Sequence, residues 1–327
     1  MIRRILRAVR AELRSASPAH VAPAPTPRPP RPVASIPSGE LLSGKLALIV
    51  GAGPNIGRGI ARVLAGTGAD LLLTDCRSEP LEERFHDSQH GGYFAIDPHT
   101  TAEPPSVAME KWQNDHVHAL EALVAYFAIA PSPLVRERIV ETILILSRTV
   151  VRSDHASSRD LHSRAWHPDP TDRRVSYGHD VECGWLLLDA CDAIGMSPSL
   201  LLPHVTAIFG TLLAHGLDLG GGGVCHTGNV GASADDRRKI WWVQAEVLVG
   251  SLDLYMRTGL PAAGRVYLEV LQWIDSKQAD WTNGEWHDCI TASGVPGGKK
   301  AAHWKGPYHS GRAMIECLLR VARLSAA

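Results

Sequence analysis

The sequence has no apolar run approaching the roughly 18 residues that span a bilayer, so no transmembrane segment is predicted. It also lacks an excess of charge: 33 Lys and Arg face 34 Asp and Glu, which gives no electrostatic reason to expect a nucleic-acid partner. The six cysteines are scattered and form no CxxC pair. This is typical of reduced thiols in a cytoplasmic protein rather than of a disulfide framework or a zinc site.

Phenylalanine and tyrosine are scarce, with four and six residues, whereas histidine and tryptophan number 16 and nine. Histidine exchanges protons near neutral pH, and tryptophan rings are surfaces on which sugars commonly pack. The composition therefore favours an enzyme acting on a polar ligand. With 45% hydrophobic and 20% charged residues, wholesale disorder is excluded, and 327 residues suggest about two domains.

Residues 1–40 are predicted to be disordered and separate from the folded body. A basic amphipathic stretch, 1–15, is followed by eight prolines within residues 18–37. Proline at that density removes backbone donors and prevents regular helix or sheet, so an extended linker is expected.

Residues 41–80 are predicted to form a small βαβ unit, with strands before and after a glycine-rich turn and a short helix. This segment resembles the opening of a short-chain dehydrogenase/reductase, which implies a dinucleotide bound by its glycines and by a carboxylate after the second strand. Asn55 stands where that family has a glycine, and no Tyr-x-x-x-Lys pair occurs in the chain. We therefore expect a Rossmann-like remnant without dehydrogenase activity, whose cofactor-binding positions would be Gly51, Gly53, Gly57 and Asp75.

Residues 81–327 are predicted to be a mainly α domain of paired helices, a partial (α/α)6 toroid with its chemistry on one set of loops. No strict short repeat is visible in the sequence. The helix-length amphipathic segments are 112–128, 133–152, 180–195, 198–216, 239–258, 262–276 and 309–325.

Histidines and carboxylates concentrate where these helices begin. His179 and Glu182 are three residues apart on one helical face, so the carboxylate could orient the imidazole. Three histidines and a glutamate could also form a zinc site, but His116 and His118 would point about 200° apart on a helix. General acid–base chemistry without a metal is the preferred interpretation, with hydrogen-bonded structural histidines as the alternative.

Five segments, in order, carry a specific resemblance: NDHVHALEAL, YGHDVECGWLLLDA, WWVQAEVLVG, GEW and WKGPYHSGR. They resemble the N-acylglucosamine 2-epimerase superfamily, and within it most closely the cellobiose 2-epimerases, over residues 81–327. The resemblance implies an isomerase that opens the ring of a reducing-end glucose, removes the C2 proton and returns it to the opposite face through an enediol. It implies neither a redox cofactor nor a metal.

The resemblance also implies roles for individual residues. His179 and His309 would be the two acid/base groups, with Glu182 supporting His179 and contacting sugar hydroxyls. The residues expected to bind or wall the sugar are His118 (with His116 as the second choice), Tyr177, Trp241, Trp242, Trp304 and Tyr308.

The chain departs from the family in several places. Part of the toroid has no counterpart, Cys183 replaces the usual alanine, Gly306 replaces a cysteine, and His226 or Thr227 stands where a loop glutamate is expected. Uncovered helix faces would favour a homodimer or marginal stability. The alternatives are an N-acylhexosamine 2-epimerase, an aldose–ketose isomerase, or a catalytically impaired, sugar-binding partial barrel.

Overall fold

The computed structural model describes residues 46–50, 70–74, 85–95, 110–152, 155–302 and 304–324. Leu46–Val50 (β1) pairs in parallel with Asp70–Thr74 (β2), with Leu46 opposite Asp70, which is the strand arrangement of a βαβ unit. The predicted disordered segment 1–40 and the proposed cofactor residues Gly51, Gly53, Gly57 and Asp75 lie outside the described residues.

The rest of the described chain is mainly helical, as predicted. Three of its seven α-helices continue into a π-helical turn, over Ile145–Thr149, Leu212–Gly216 and Ile274–Gln278. The helices are α1 (Gln113–Ile129), α2 (Pro133–Leu144), α3 (Tyr177–Ala193), α4 (Leu202–Thr211, after a 3-10 turn at Pro198–Leu200), α5 (Trp241–Thr258), α6 (Pro261–Trp273) and α7 (Tyr308–Leu324).

Short antiparallel strands join the loops before the odd-numbered helices. Lys111–Trp112 (β3) pairs with Leu161–His162 (β4), and Arg174–Ser176 (β5) pairs with Thr227–Asn229 (β6). Lys239–Ile240 (β7), Cys289–Ile290 (β8) and Pro296–Gly297 (β9) form a three-stranded sheet. These strands fix the loops against one another at the end of the molecule where α3, α5 and α7 begin.

The odd-numbered helices form an inner layer, in which α1 packs on α3, α3 on α5 and α5 on α7, while α2, α4 and α6 pack outside them. Between Tyr177 and Cys191 every residue of α3 is buried except His179. A helix covered on all sides is hydrophobic all round, which explains the Leu-rich run of α3. In the described part of the chain, no helix is long and apolar enough to cross a membrane.

An isolated β-bridge of constant span precedes each inner helix. The inner helices begin at residues 113, 177, 241 and 308, so successive repeats are 64, 64 and 67 residues apart. The structure therefore contains a repeat that the sequence pattern does not reveal. In each repeat an isolated β-bridge joins two residues that are seven positions apart in the chain. The four pairs are His86 with Tyr93, Val151 with Ser158, Leu217 with Val224 and Ala279 with Trp286.

Three of the turns closed by these bridges share an aspartate that accepts backbone N–H groups two and three residues further on: Asp87, Asp218 and Asp280. Each aspartate also pairs with a lysine from a later loop. In each of these three turns, the fourth and fifth residues after the aspartate have positive φ. Five of these six residues are glycines, and the sixth is Glu285. Only D-x-x-x-G recurs in sequence, too little to predict a repeat.

A cluster of ion pairs ties the far halves of the inner helices together. Arg320 of α7 is 1% exposed and bonds Asp189 of α3 at 3.0 Å and Asp253 of α5 at 3.1 Å. Arg257 of α5 bonds the same two aspartates. The two guanidinium groups thus compensate the negative charges of the buried carboxylates.

Replacing Arg320 with leucine is expected to lower the free energy of unfolding by about 3 kcal/mol, because two buried carboxylates lose a partner. Urea denaturation followed by circular dichroism would measure the change. Arg323→Leu, an exposed arginine one turn later on α7, is the matched control and should stay within about 0.5 kcal/mol of the parent. Equal destabilisation by both variants would contradict the prediction.

Candidate active site

His309, the second residue of α7, is held by carboxylates of two other inner helices. Its Nδ1 lies 2.7 Å from Oε1 of Glu246 on α5 and 4.0 Å from Oε1 of Glu182 on α3. Since the carboxylate of Glu246 can only accept, Nδ1 donates to it when Glu246 is ionised. The other ring nitrogen, Nε2, is then the one that can exchange a proton.

Arg312, one turn after His309, joins three carboxylates from three helices. Its guanidinium lies 2.6 Å from Glu121 on α1, 2.6 Å from Glu182 and 2.7 Å from Glu246. Burial disfavours its charge, but the surrounding carboxylates outweigh burial and raise the pKa of Arg312. A fixed positive charge therefore lies at the centre of the cluster.

The pKa values of the two buried glutamates beside Arg312 are shifted in opposite directions. Burial, followed by repulsion from Glu246, raises the pKa of Glu182. Burial acts on Glu246 in the same direction, but the hydrogen bond from His309 and the charge of Arg312 outweigh it and lower the pKa of Glu246. Oε2 of Glu182 is buried and has no hydrogen-bond partner among the described residues, so its capacity to accept a hydrogen bond is unused.

His179, the third residue of α3, stacks on the indole of Trp242, with ring centroids 4.5 Å apart and planes 27° apart. Gly178 makes the stack possible, because a Cβ at that position would clash with the six-membered ring of Trp242. Burial, and then the nearby His118 and His226, lowers the pKa of His179 to about 4. The imidazole is therefore neutral at physiological pH and able to accept a proton.

His118 of α1 completes the cluster of histidines. Its ring centroid is 6.3 Å from that of His309, and its Nδ1 is 3.4 Å from Glu121. Burial would lower its pKa, but the carboxylates of Glu121 and Glu182 outweigh burial and raise it. His118 thus carries positive charge more readily than His179.

Trp241, Trp242 and Tyr308 also border His309, with ring centroids 6.3, 5.9 and 4.7 Å away. The hydroxyl of Tyr308 donates to Glu121. Trp304 is 84% exposed, in the loop before α7.

Two residues expected at the sugar lie elsewhere. His116 is fully buried, and its ring nitrogens are committed to the carbonyl of Trp112 at 2.7 Å and the backbone N–H of Tyr93 at 2.8 Å. Tyr177 is also buried, with its ring packed against Gly216 and Gly228. Both side chains are part of the packing behind the cluster.

Glu182 lies where it was expected but beside a different histidine. The prediction paired it with His179 because the two are three residues apart on α3. In the structure its Oε1 accepts from Arg312 and approaches His309, which lies on another helix. Contacts between helices decide its partner, rather than the contact along one helix.

Arg312, Glu121 and Glu246 were not among the predicted site residues. Two of them could have been found by helical spacing, since Arg312 follows His309 by three residues and Glu121 follows His118 by three. Glu246 gave no such signal.

Among the described residues, one group has spacing suitable for a metal ion: Glu182, Glu246 and His309 offer atoms within 4.8 Å of one another. The guanidinium of Arg312 already lies 2.6–2.7 Å from both carboxylates. The guanidinium thus already neutralises the carboxylates that would have to bind a metal ion, so these residues do not fit a metal site.

The sequence and the fold are both similar to those of known proteins. Residues 63–313 match the family model of N-acylglucosamine 2-epimerase (GlcNAc 2-epimerase). The cellobiose 2-epimerase of Bacteroides fragilis is 28% identical over 212 residues, which are 64% of this chain and 53% of that one. The structure of cellobiose 2-epimerase from Spirochaeta thermophila DSM 6192 superposes with a TM-score of 0.62 at 28% identity, covering 75% of this chain and 62% of that one.

A different relative matches a shorter stretch. The 2-dehydro-3-deoxy-D-gluconate 5-dehydrogenase of Bacillus subtilis (strain 168) is 35% identical over 82 residues, 24% of this chain and 32% of that one. The chain spans about half the length of the Bacteroides fragilis relative. Because the family model covers most of the sequence, the chain belongs to the N-acylglucosamine 2-epimerase family.

Proposed function

We propose that the protein is a carbohydrate 2-epimerase that inverts C2 of a reducing-end glucose, with cellobiose as the preferred substrate. The observation that carries the proposal is the approach of two histidines to one indole, His179 at 4.5 Å and His309 at 5.9 Å from Trp242. Two bases that reach one carbon from opposite sides are what inversion by proton transfer requires. The named cellobiose 2-epimerase relatives support the choice of sugar.

The proposed reaction acts on the open-chain sugar. One imidazole takes the proton from C2, and the C–H electron pair forms the C1–C2 double bond while the carbonyl π electrons move to oxygen. The resulting enediolate collapses as the other histidine, which begins the cycle as an imidazolium, delivers a proton to the opposite face of C2 and becomes neutral. Proton loss and gain balance, and no net oxidation occurs.

The charges around the cluster suit the intermediate. Arg312 and His118 supply positive charge where the enediolate oxygen becomes negative, and preorganised charge of this kind stabilises such an anion. The unused Oε2 of Glu182 can accept from a sugar hydroxyl. Trp304 and Tyr308, both exposed, offer ring faces for the second sugar of a disaccharide.

The test is to incubate the purified protein with cellobiose, glucose, mannose and N-acetylglucosamine in D2O and to follow C2 by NMR. We expect deuterium at C2 of cellobiose together with the C2 epimer as product. Conversion of N-acetylglucosamine alone would instead indicate an N-acylhexosamine epimerase, and a ketose product an aldose–ketose isomerase. If none of the four sugars exchanges at C2, the proposal is wrong.

A further inference from the structure

His226 is a fourth histidine at the edge of the cluster, and its loop holds it rigidly. Its Nδ1 is 3.0 Å from Oδ2 of Asp236, and its backbone N–H donates to the carbonyl of Asp236 at 3.0 Å. The backbone N–H of Asp236 donates in turn to Thr227. Arg238 bonds both oxygens of Asp236, at 2.9 and 2.6 Å.

The imidazole of His226 meets the indole of Trp242. Their centroids are 6.0 Å apart and their planes stand at 87°, an edge-to-face contact. The same indole stacks on His179. Trp242 therefore lies in contact with both His226 and a proposed acid/base group, and it is only half-buried, so the protein core does not fix it on every side.

We propose that His226, anchored by Asp236, is a positioning residue: it holds the indole of Trp242 in place and so sets the orientation of the His179 imidazole. Its consequence for catalysis rests on the proposed function. Orientation matters here because a displacement of about 1 Å at a reacting group costs about 10²-fold in rate.

His226 also affects the pKa of His179. The titratable and charged groups near His179 are His118 on α1, Glu246 on α5, His309 on α7 and His226. His226 in turn faces Asp236, which is itself paired with Arg238. Of these groups, His118, His226 and His309 lower the pKa of His179, and Glu246 raises it.

The test compares His226→Ala and Asp236→Asn with the control Asp235→Asn. Asp235 is the preceding residue, but it bonds Arg174 at 2.5 Å and Asn229 at 2.9 Å. Imidazole NMR of the full chain, with the His179 signals assigned by their loss in His179→Asn, reports the stack as an upfield ring-current shift. We expect this shift to shrink in both test variants and to persist in the control.

In the C2 assay, we expect both test variants to lose kcat by about 10²-fold while KM changes much less, because the reacting imidazole is misaligned and Trp242 is the one proposed sugar-walling group that moves with it. Unchanged His179 signals in both variants would overturn the inference. If the parent protein exchanges no sugar at C2, the proposed function fails, and the NMR shift still decides the positioning role. Asparagine has the same size and shape as aspartate, so Asp236→Asn still tests the inference if His226→Ala fails to fold.

Discussion

Replacing His309 with asparagine is expected to reduce epimerisation by about 10²- to 10⁴-fold, the usual contribution of a general acid/base group. Asparagine can still donate toward Glu246, so the cluster should keep its shape, but no group then transfers a proton on that face of C2. His179 still serves the other face. One epimer should therefore continue to exchange its C2 proton with solvent while net inversion stops.

His179→Asn should give the mirror-image result, with exchange retained in the other epimer. NMR in D2O, started separately from each epimer, distinguishes the two faces. The control is His167→Asn, because His167 is exposed and lies in the loop between β4 and β5. Near-parental epimerisation by both active-site variants would mean that the proton carriers lie elsewhere.

Replacing Arg312 with methionine is expected to abolish activity and to lower the free energy of unfolding by about 3–5 kcal/mol. The carboxylates of Glu121, Glu182 and Glu246 would lose their shared cation, and the last two are almost completely buried. Arg312→Lys keeps one positive charge but cannot bond three carboxylates in a fork, so it should fall between the parent and the methionine variant.

The destabilisation by Arg312→Met should depend on pH. Without the guanidinium, the pKa of Glu246 in the folded state rises above its value in the unfolded chain, and the pKa of Glu182, which is already above that value, rises further. The folded state then binds more protons than the unfolded state, so acidification favours it. The deficit relative to the parent should be largest near pH 8 and shrink toward pH 5. Urea titrations at both pH values measure it, and equal deficits would contradict this account.

Local patterns predicted much of the fold. The segment 112–128 corresponds to α1 at Gln113–Ile129, and 309–325 to α7 at Tyr308–Leu324. Periodicity sufficed because each helix buries apolar residues. The segment 198–216 instead divides into 3-10, α and π turns, since hydrophobic spacing does not distinguish these geometries.

The site could be predicted only in part, for a physical reason. His118, His179 and His309 were expected near one another, and the structure brings them together. The contact between Arg312 and Glu121 could not be predicted, because the two residues lie 191 positions apart in the chain and no local pattern encodes their pairing. His116 was the second choice after His118, and the two point to different sides of α1, one into the packing and one toward His309.

Three of the four inner helices, α3, α5 and α7, place residues of their first turns at the cluster, and this has an electrostatic consequence. His309 is the second residue of α7, Trp242 the second of α5 and His179 the third of α3. Aligned peptide dipoles place about half a positive elementary charge at each helix N-terminus. The cluster therefore lies at the joint positive pole of three helices. A planar anion shaped like an enediolate should bind there more tightly than the neutral sugar that it resembles.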